Sequence, residues 1–324
     1  MYPSYLNFSR KELNRRIEEL FKNLRNCEIC PRKCHVNRLK GEKGFCQLGY
    51  LPMVSAYHPH FGEEAPLVGK YGSGTIFMTS CNLACVYCQN YKISQLRIGD
   101  EISFERLAKM MIELQNKGCH NINFVTPTPQ VPQILKSLPI AIEMELKIPL
   151  VYNTSSYDSV EVLKILEGIF DIYLPDARYS DDKIALKYSN APRYFGIMKE
   201  AIKEMHHQVG DLIINSKFKL QNAKLKFKIQ NFEEIQKEFP EGVALRGLII
   251  RHLVLPNNLA GSEKIVKFLA KEISQNTFLN IMDQYYPYYR ASQYPELARR
   301  ITKEEFQEAI SLAKRASLKR LYLE

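Results

Sequence analysis

The amino-acid sequence predicts an α/β fold: an open or partial barrel of six β/α units, preceded by a small cysteine-rich segment. Three observations carry this expectation. From residue 74 onward, short apolar runs alternate six times with stretches of helical periodicity, which implies a parallel sheet with right-handed crossovers. Six units are two short of a closed eight-stranded barrel. Residues 27–56 hold four cysteines and three glycines with little periodicity, as in a segment ordered by bound metal rather than by a core of its own.

The first expected element is an amphipathic helix over 9–24. Ser9 and Glu12 have capping-box spacing, and Leu13, Ile17, Leu20, Phe21 and Leu24 share one face. With the cysteine segment it forms a unit over 1–56, leaving 57–324 for the barrel. A length of 324 residues suits two domains, or one barrel with an appendage. Apolar runs place strands at 75–79, 121–125, 150–153, 169–174, 248–255 and 278–282. Helical patterns follow at 103–117, 130–146, 158–167, 181–207, 262–274 and 303–315. Residues 216–241 break the rhythm. There Lys224, Leu225, Lys226, Phe227, Lys228 and Ile229 alternate strictly, which suggests a half-exposed strand in an insertion. Because it joins a helix to the next strand, it belongs at the barrel's N-terminal end, away from the catalytic face. A structural or partner-binding role is expected for it.

Composition narrows the function classes. With 45% hydrophobic and 25% charged residues, the chain is neither disordered nor a disulfide miniature. No run approaches the ~18 apolar residues of a membrane helix. Forty-five basic against 35 acidic residues leave +10, a hint of an acidic partner. The excess is diffuse and forms no recognition helix or aromatic–basic stripe, so nucleic acid is not the expected partner. The N-terminus lacks an apolar signal core, and Glu12, Glu18 and Glu19 argue against a transit peptide. A cytoplasmic location is therefore expected. In a reducing compartment, cysteines at short spacing are more often metal ligands than disulfides.

Seven of the eight cysteines fall between Cys27 and Cys88. Cys81, Cys85 and Cys88 form C-x3-C-x2-C just after the first barrel strand, where a loop places thiolates at the catalytic face. Three sulfurs at this spacing can hold three irons of a 4Fe–4S cube and leave the fourth open to a small molecule. A three-cysteine zinc site or three unliganded thiols are the alternatives. At these residues the sequence resembles the radical S-adenosylmethionine (SAM) superfamily, in the branch related to pyruvate formate-lyase-activating enzymes. The resemblance runs from CEICPRKC through GSGTIFMTSCNLACVYCQN, NINFVTPTP, VYNTSSYDS, DIYLPDARYS, GLIIRHLVLP and MDQYYP. It implies a partial (β/α)6 TIM-like barrel whose unique iron binds the amino and carboxylate groups of SAM. One electron from the reduced cluster cleaves the sulfonium, and the 5′-deoxyadenosyl radical abstracts hydrogen from a substrate. The cofactor supplies the hard chemistry and the protein positions it.

Carried over residue by residue, the resemblance makes Cys81, Cys85 and Cys88 the cluster ligands and sets Tyr87 beside the adenine. Asp176 matches the acidic residue of a D-x-K motif, whose third position is Arg178 here, a fork in place of a compact ammonium. Arg251 matches an arginine that helps hold SAM. Ile249 suits either the adenine or the barrel core. The family's second strand ends in a Gly-Gly-Glu block that receives the SAM amino group. This chain has Val125-Thr126-Pro127-Thr128-Pro129 instead, so Thr126 and Thr128 are the available acceptors. Asn153, Thr154 and Ser155 end the third strand, where they can face the ribose, and Ser155 or Ser156 can also cap the next helix. Asp283, Gln284, Tyr285, Tyr286, Tyr288 and Tyr289 end the sixth strand, either lining a substrate mouth or packing as a lid.

The second group, Cys27-x2-Cys30-x3-Cys34-x11-Cys46, is a complete set for zinc or for a second 4Fe–4S cluster. A closed structural site and an electron relay are both open to it. His35 reads as an exposed loop histidine, Cys119 as a buried inert thiol, and His206 and His207 as surface residues. The expected function is a radical SAM, oxidoreductase-type enzyme acting on a protein, peptide or metabolite, with glycyl-radical activation as one form. A radical SAM enzyme modifying RNA and a zinc-dependent nucleic-acid-binding protein are the alternatives. An open three-cysteine site, which a binding module does not need, favours the enzyme. A flavodoxin or ferredoxin-like donor, typically acidic, suits the basic surface.

Overall fold

The computed structural model describes residues 2–215 and 242–323; the expected strand and insertion at 216–241 lie outside the described residues. The N-terminal helix α1 spans Arg10–Asn23. Ser9 Oγ accepts from the Glu12 amide at 3.2 Å, but only half of the capping box forms. The Glu12 carboxylate turns instead to Arg15 and Arg16.

The sheet runs β10-β9-β8-β6-β5-β4-β2-β1-β3 and is not closed. Its strands are β1 Met53–His60, β2 Ser73–Met78, β3 Asp100–Glu101, β4 Ile122–Val125, β5 Leu150–Thr154, β6 Ile172–Pro175, β7 Ile213–Ile214, β8 Ala244–Leu253, β9 Phe278–Met282 and β10 Arg320–Leu323. The six expected strands are β2, β4, β5, β6, β8 and β9, all parallel to one another along the sheet. Sequence periodicity misses the edges. β10 adds in parallel to β9, whereas β1 lies antiparallel on β2 and crosses the expected boundary at 56–57. Its sequence, MVSAYHPH, alternates imperfectly and holds Pro59, tolerated near a sheet edge.

The helices between strands are α2 Phe104–Asn116, α3 Val131–Glu143, α4 Val160–Ile165, α5 Asp182–Ser189, α6 Tyr194–Val209, α7 Ser262–Phe268 and α8 Lys303–Arg315. The single helix expected over 181–207 is two. Asn190 and Arg193 take left-handed backbone, and Pro192 between them cannot continue a hydrogen-bonded turn. The cap of α4 is Ser159, not Ser155 or Ser156, which stay with the strand end. α8 forms the full Thr302–Glu305 capping box.

Side chains alternate across each strand. The outer set (Ile76, Ile122, Phe124, Tyr152, Tyr173, Ile250) joins the main core under the helices. The inner set packs separately: Val151, Ile172, Leu174, Ile249 and Phe278 with Leu67. Leu67 comes from the β1–β2 connection, whose short helical turn Ala65–Val68 closes the barrel from below. Ile249 is fully buried in this inner core. Above it, the register aligns Val125, Asn153, Leu174 and Pro175, and then Asp176 with Arg251, so the polar strand ends form one rim.

Candidate functional site

Chain geometry first fixes the loop after β2. Ala84 N donates to Ser189 O (2.9 Å), Val86 N to Tyr188 O (2.8 Å) and Arg290 N to Val86 O (2.8 Å). The break between α5 and α6 therefore clamps the loop carrying Cys81, Cys85 and Cys88. Each sulfur has a polar neighbour. The Leu83 amide donates to Cys81 Sγ (3.3 Å), the Ser189 hydroxyl donates to Cys85 Sγ (3.0 Å), and the Ser94 hydroxyl lies 3.1 Å from Cys88 Sγ. Burial, then the neighbouring thiol of Cys85, raises the pKa of both Cys81 and Cys88. These are soft ligands that ionise when a metal takes the proton's place.

Beside them opens a cleft of about 180 Å³, lined by Tyr87, Cys88, Asp176, Arg178, Arg251, Met282, Gln284 and Tyr286 among others. Asp176 accepts from Arg178 Nη2 at 2.5 Å and from Arg251 Nε at 2.7 Å. Arg251 Nη2 reaches Asn153 Oδ1 at 2.6 Å. Burial opposes both guanidinium charges, but Asp176 together with the thiol of Cys85 and the hydroxyl of Tyr87 around Arg178, and with Glu64 and Glu63 around Arg251, outweighs it and raises both pKa values. The structure thus gathers Tyr87, Asn153, Asp176, Arg178 and Arg251 at one rim. Ser155 is buried with its hydroxyl unpaired.

The two threonines part company. Thr126 sits at the strand end with positive φ, its amide donating to Asn153 O. Thr128 Oγ1 is spent on Asp158 (2.7 Å) and Thr154 (3.1 Å), in a buried network with Tyr152. Tyr152 and Thr154 face outward, so Thr128 is turned away from the cleft, a correction to its expected cofactor role. Thr154 likewise faces Asp158 rather than a ribose.

Sequence reasoning misses a carboxylate. Glu63, from the connection below the barrel, rises into the lumen within 3.5 Å of both Arg251 Nη1 and Asn153 Nδ2. Burial pushes its pKa up to about 7, with Arg251 opposing. Glu64 beside it takes a 3.0 Å hydrogen bond from Asn280 Nδ2. Nothing in FGEEAPLV signals this, because only the antiparallel β1 brings the segment beneath the sheet. The tyrosines divide too. Tyr285 is buried against Tyr87 and donates to Leu297 O, Tyr289 stacks on Tyr91, and Tyr286 faces the cleft.

The four N-terminal cysteines line one tight pocket, with space of only about 10 Å³, together with Arg32, Arg38 and Phe45. Burial pushes the Cys30 thiol up to about 12 and raises that of Cys46. Gly44 approaches so closely that a Cβ there would lie 2.8 Å from that of Cys34. His35 is more than half exposed beside Glu28. Cys119 is buried near Tyr71, and His206 pairs with Asp211.

A profile of the Radical SAM superfamily matches residues 75–215. The uncharacterized protein MJ0674 of Methanocaldococcus jannaschii is 34% identical over 315 residues, spanning 94% of this chain and 79% of that protein. The chain belongs to the radical SAM superfamily. Among solved structures, it is similar to a domain of pyruvate-formate lyase-activating enzyme from Bacteroides vulgatus (12% identity, TM-score 0.34, 68% of this chain and 91% of that one). HydG, a hydrogenase maturase, is another (11%, TM-score 0.47, 97% and 66%). Radical SAM proteins are enzymes that use a 4Fe–4S cluster and SAM and draw electrons from a reductant. The three-cysteine loop fits that cluster: three soft donors on one clamped loop, each sulfur already beside a hydrogen-bond donor. Among the described residues, no three histidine, cysteine or carboxylate side chains gather tightly enough to hold one metal ion. No described helix is long and apolar enough to cross a membrane.

Proposed function

We propose that this radical SAM enzyme abstracts a hydrogen atom from a protein, peptide or metabolite substrate presented at the rim above Asp176 and Arg251. The observation that supports it is the adjacency of the clamped three-cysteine loop and the Asp176–Arg178–Arg251–Asn153 network around one cleft. Cys81, Cys85 and Cys88 would hold a 4Fe–4S cluster, which would supply the electron that cleaves SAM. The protein's own residues do the rest. Arg178 and Arg251 present charge to the SAM carboxylate, with Asp176 fixing both guanidiniums. Asn153 and Ser155 offer polar groups to the ribose, and the Tyr87 backbone lies beside the adenine. Tyr87, Tyr285 and Tyr286 keep water from the reacting carbon. Cys27, Cys30, Cys34 and Cys46 hold a second metal group, zinc or iron–sulfur. A flavodoxin or ferredoxin-like protein in the cytoplasm supplies the electron. Glycyl-radical activation is one reaction this geometry serves.

The test is anaerobic reconstitution, with iron and sulfide counted and 5′-deoxyadenosine measured under dithionite. Formation of 5′-deoxyadenosine dependent on SAM and dithionite is expected; a colourless protein that leaves SAM intact would overturn the reading.

A further inference from the structure

The charge network at the rim does not end at the cleft. Arg178 stands at its cysteine end, where the Cys85 thiol and the Tyr87 hydroxyl act on it, and Arg251 stands at its lumen end, beside Glu64 and Glu63. Asp176 ties the two guanidiniums together at 2.5 and 2.7 Å. Arg251 Nη2 then holds Asn153 Oδ1 at 2.6 Å, whereas its Nη1 lies 3.5 Å from Glu63 Oε2. The other Glu63 oxygen is also 3.5 Å from its neighbour, Asn153 Nδ2, and the Asn123 side chain approaches from the next strand. The Glu63 side chain keeps only 7% of its exposure. A carboxylate with about four acceptor sites is thus buried on long, weak contacts.

Behind Glu63 the lumen stays polar. Asn280 is in register with Arg251, and both it and Glu64 are buried. Asn280 Nδ2 donates to Glu64 Oε1 at 3.0 Å, which leaves Glu64 Oε2 and Asn280 Oδ1 without hydrogen-bond partners. The carboxylates of Asp176, Glu63 and Glu64 therefore share two guanidiniums. A buried carboxylate without full compensation takes up a proton or a cation, and burial does hold the Glu63 carboxyl protonated up to about 7. The group that completes this site brings one positive charge and several N–H donors, as a primary ammonium does. The inner face of the sheet offers such a molecule a wall. Asn153 shares a row with Val125, Phe77 and Ala56, and residues paired across strands share a face. Val125, Phe77 and Ala56 are half-buried, whereas the row beneath, Thr75, Asn123 and Val151, is buried completely. The ring of His58 stands 5.3 Å from that of Phe77 and widens the wall.

We propose that the substrate carries a primary ammonium group, received in the lumen by Glu63 with Asn153 beside it and Glu64 and Asn280 behind it. The inference rests on the function proposed above and narrows its substrate to an aliphatic amine. By the family resemblance the amino group of SAM belongs on the open iron, at the Arg178 end of the network, which leaves the Glu63 end to a second molecule. Binding makes and breaks no covalent bond between heavy atoms. The ammonium keeps its three protons, and the proton held by Glu63 leaves to solvent as the carboxylate ionises between Arg251, Glu64 and Asp176.

The test is anaerobic calorimetric titration of the reconstituted full chain near neutral pH, with and without SAM. The probes are n-pentylamine and n-pentanol, which share a body and differ in the charged head. With SAM present, the amine should bind the wild type at least about tenfold more tightly than the alcohol and release protons to the buffer. Glu63→Gln keeps the shape and removes the charge, so it should bind both probes about equally and release no proton. Equal binding by the wild type, or an amine preference that survives in Glu63→Gln, overturns the inference. A preference that disappears when SAM is added overturns it as well, because the amino group of SAM then fills the site. SAM cleavage by the same wild-type preparation separates the failures. A protein that yields 5′-deoxyadenosine without preferring the amine defeats only the amine site, whereas one that leaves SAM intact defeats the proposed function.

Discussion

The two cysteine groups are built in opposite ways. Cys81, Cys85 and Cys88 sit on a loop whose position is set by a sheet strand below it and by Tyr188, Ser189 and Arg290 around it. The barrel would hold that loop in place without a cluster. Cys27, Cys30, Cys34 and Cys46 sit in a segment whose only regular structure is one 3-10 turn, Arg38–Lys40, tied to the barrel by Arg32, Arg38 and Ser80. On the function proposed above, one site is scaffold first and metal second, and the other would depend on its metal for order. Reactive positions can be built only on the first kind, because precise placement needs support independent of the ligand.

The largest expected effect tests that contrast directly. Cys81→Ala should abolish 5′-deoxyadenosine formation while leaving the thermal midpoint of the reconstituted protein nearly unchanged. Cys27→Ala should instead lower that midpoint and open residues 24–50 to proteolysis. If Cys27→Ala alone removed the SAM-dependent spectral change, the roles of the two groups would be reversed.

Much of the barrel is legible from periodicity because each inner strand is buried on both faces and reads as an apolar run. β9 Phe278–Met282 and α8 Lys303–Arg315 take the bounds their patterns predict. What is illegible comes from tertiary context. β1 and β10 are strands because a sheet edge is available to them, not because their residues alternate. Thr128 reads as a cofactor acceptor until the fold turns it toward Asp158. Glu63 carries no motif, and only the closing loop under the barrel brings it to Arg251.

The next effect in size concerns the rim. Asp176 anchors two guanidiniums, and its side chain keeps 13% of its exposure. Removing one partner of a largely buried ion cluster costs ~3–5 kcal/mol. With some solvent still present, Asp176→Asn should fall at the low end, about 3 kcal/mol of stability. Since both guanidiniums then lose their orientation, SAM affinity should fall as well, read by equilibrium binding. An unchanged affinity would mean that Arg178 and Arg251 are positioned by something else.

Glu63 gives an effect of similar size, but only toward neutral pH, with a definite pH signature. Its carboxyl is raised from the ordinary 4.5 to about 7 by burial, so between those values the folded state holds a proton that the unfolded state has released. Folding stability from this group is therefore present below pH 4.5 and lost as pH rises toward 7. The loss reaches roughly 3 kcal/mol, because each pH step between the two values weakens folding by about 1.4 kcal/mol. Glu63→Gln should remove that slope. Denaturant midpoints of the two proteins, compared between pH 4.5 and 7.5, should converge toward low pH, with the variant ahead at pH 7. Parallel curves would count against a raised Glu63.

The smallest effect refines the scaffold side of the contrast. Tyr87, Tyr179 and Ser189 form a chain of hydroxyls, at 2.5 Å and 2.7 Å, that ends on Cys85 Sγ. A hydrogen bond to a ligating sulfur draws charge from the cluster and eases its reduction. Ser189→Ala should make the first cluster harder to reduce by up to about tenfold in its reduced-to-oxidised ratio at fixed potential, ~59 mV for one electron. The backbone bonds from Ala84 and Val86 to residues 188 and 189 survive that change, so loop position and iron content should hold. Ser189→Thr, which keeps the hydroxyl, should restore the potential. A potentiometric titration followed by electron paramagnetic resonance reads the shift. A variant with unaltered potential would show that the hydroxyl chain serves packing at the α5–α6 break and leaves the electronics of Cys85 untouched.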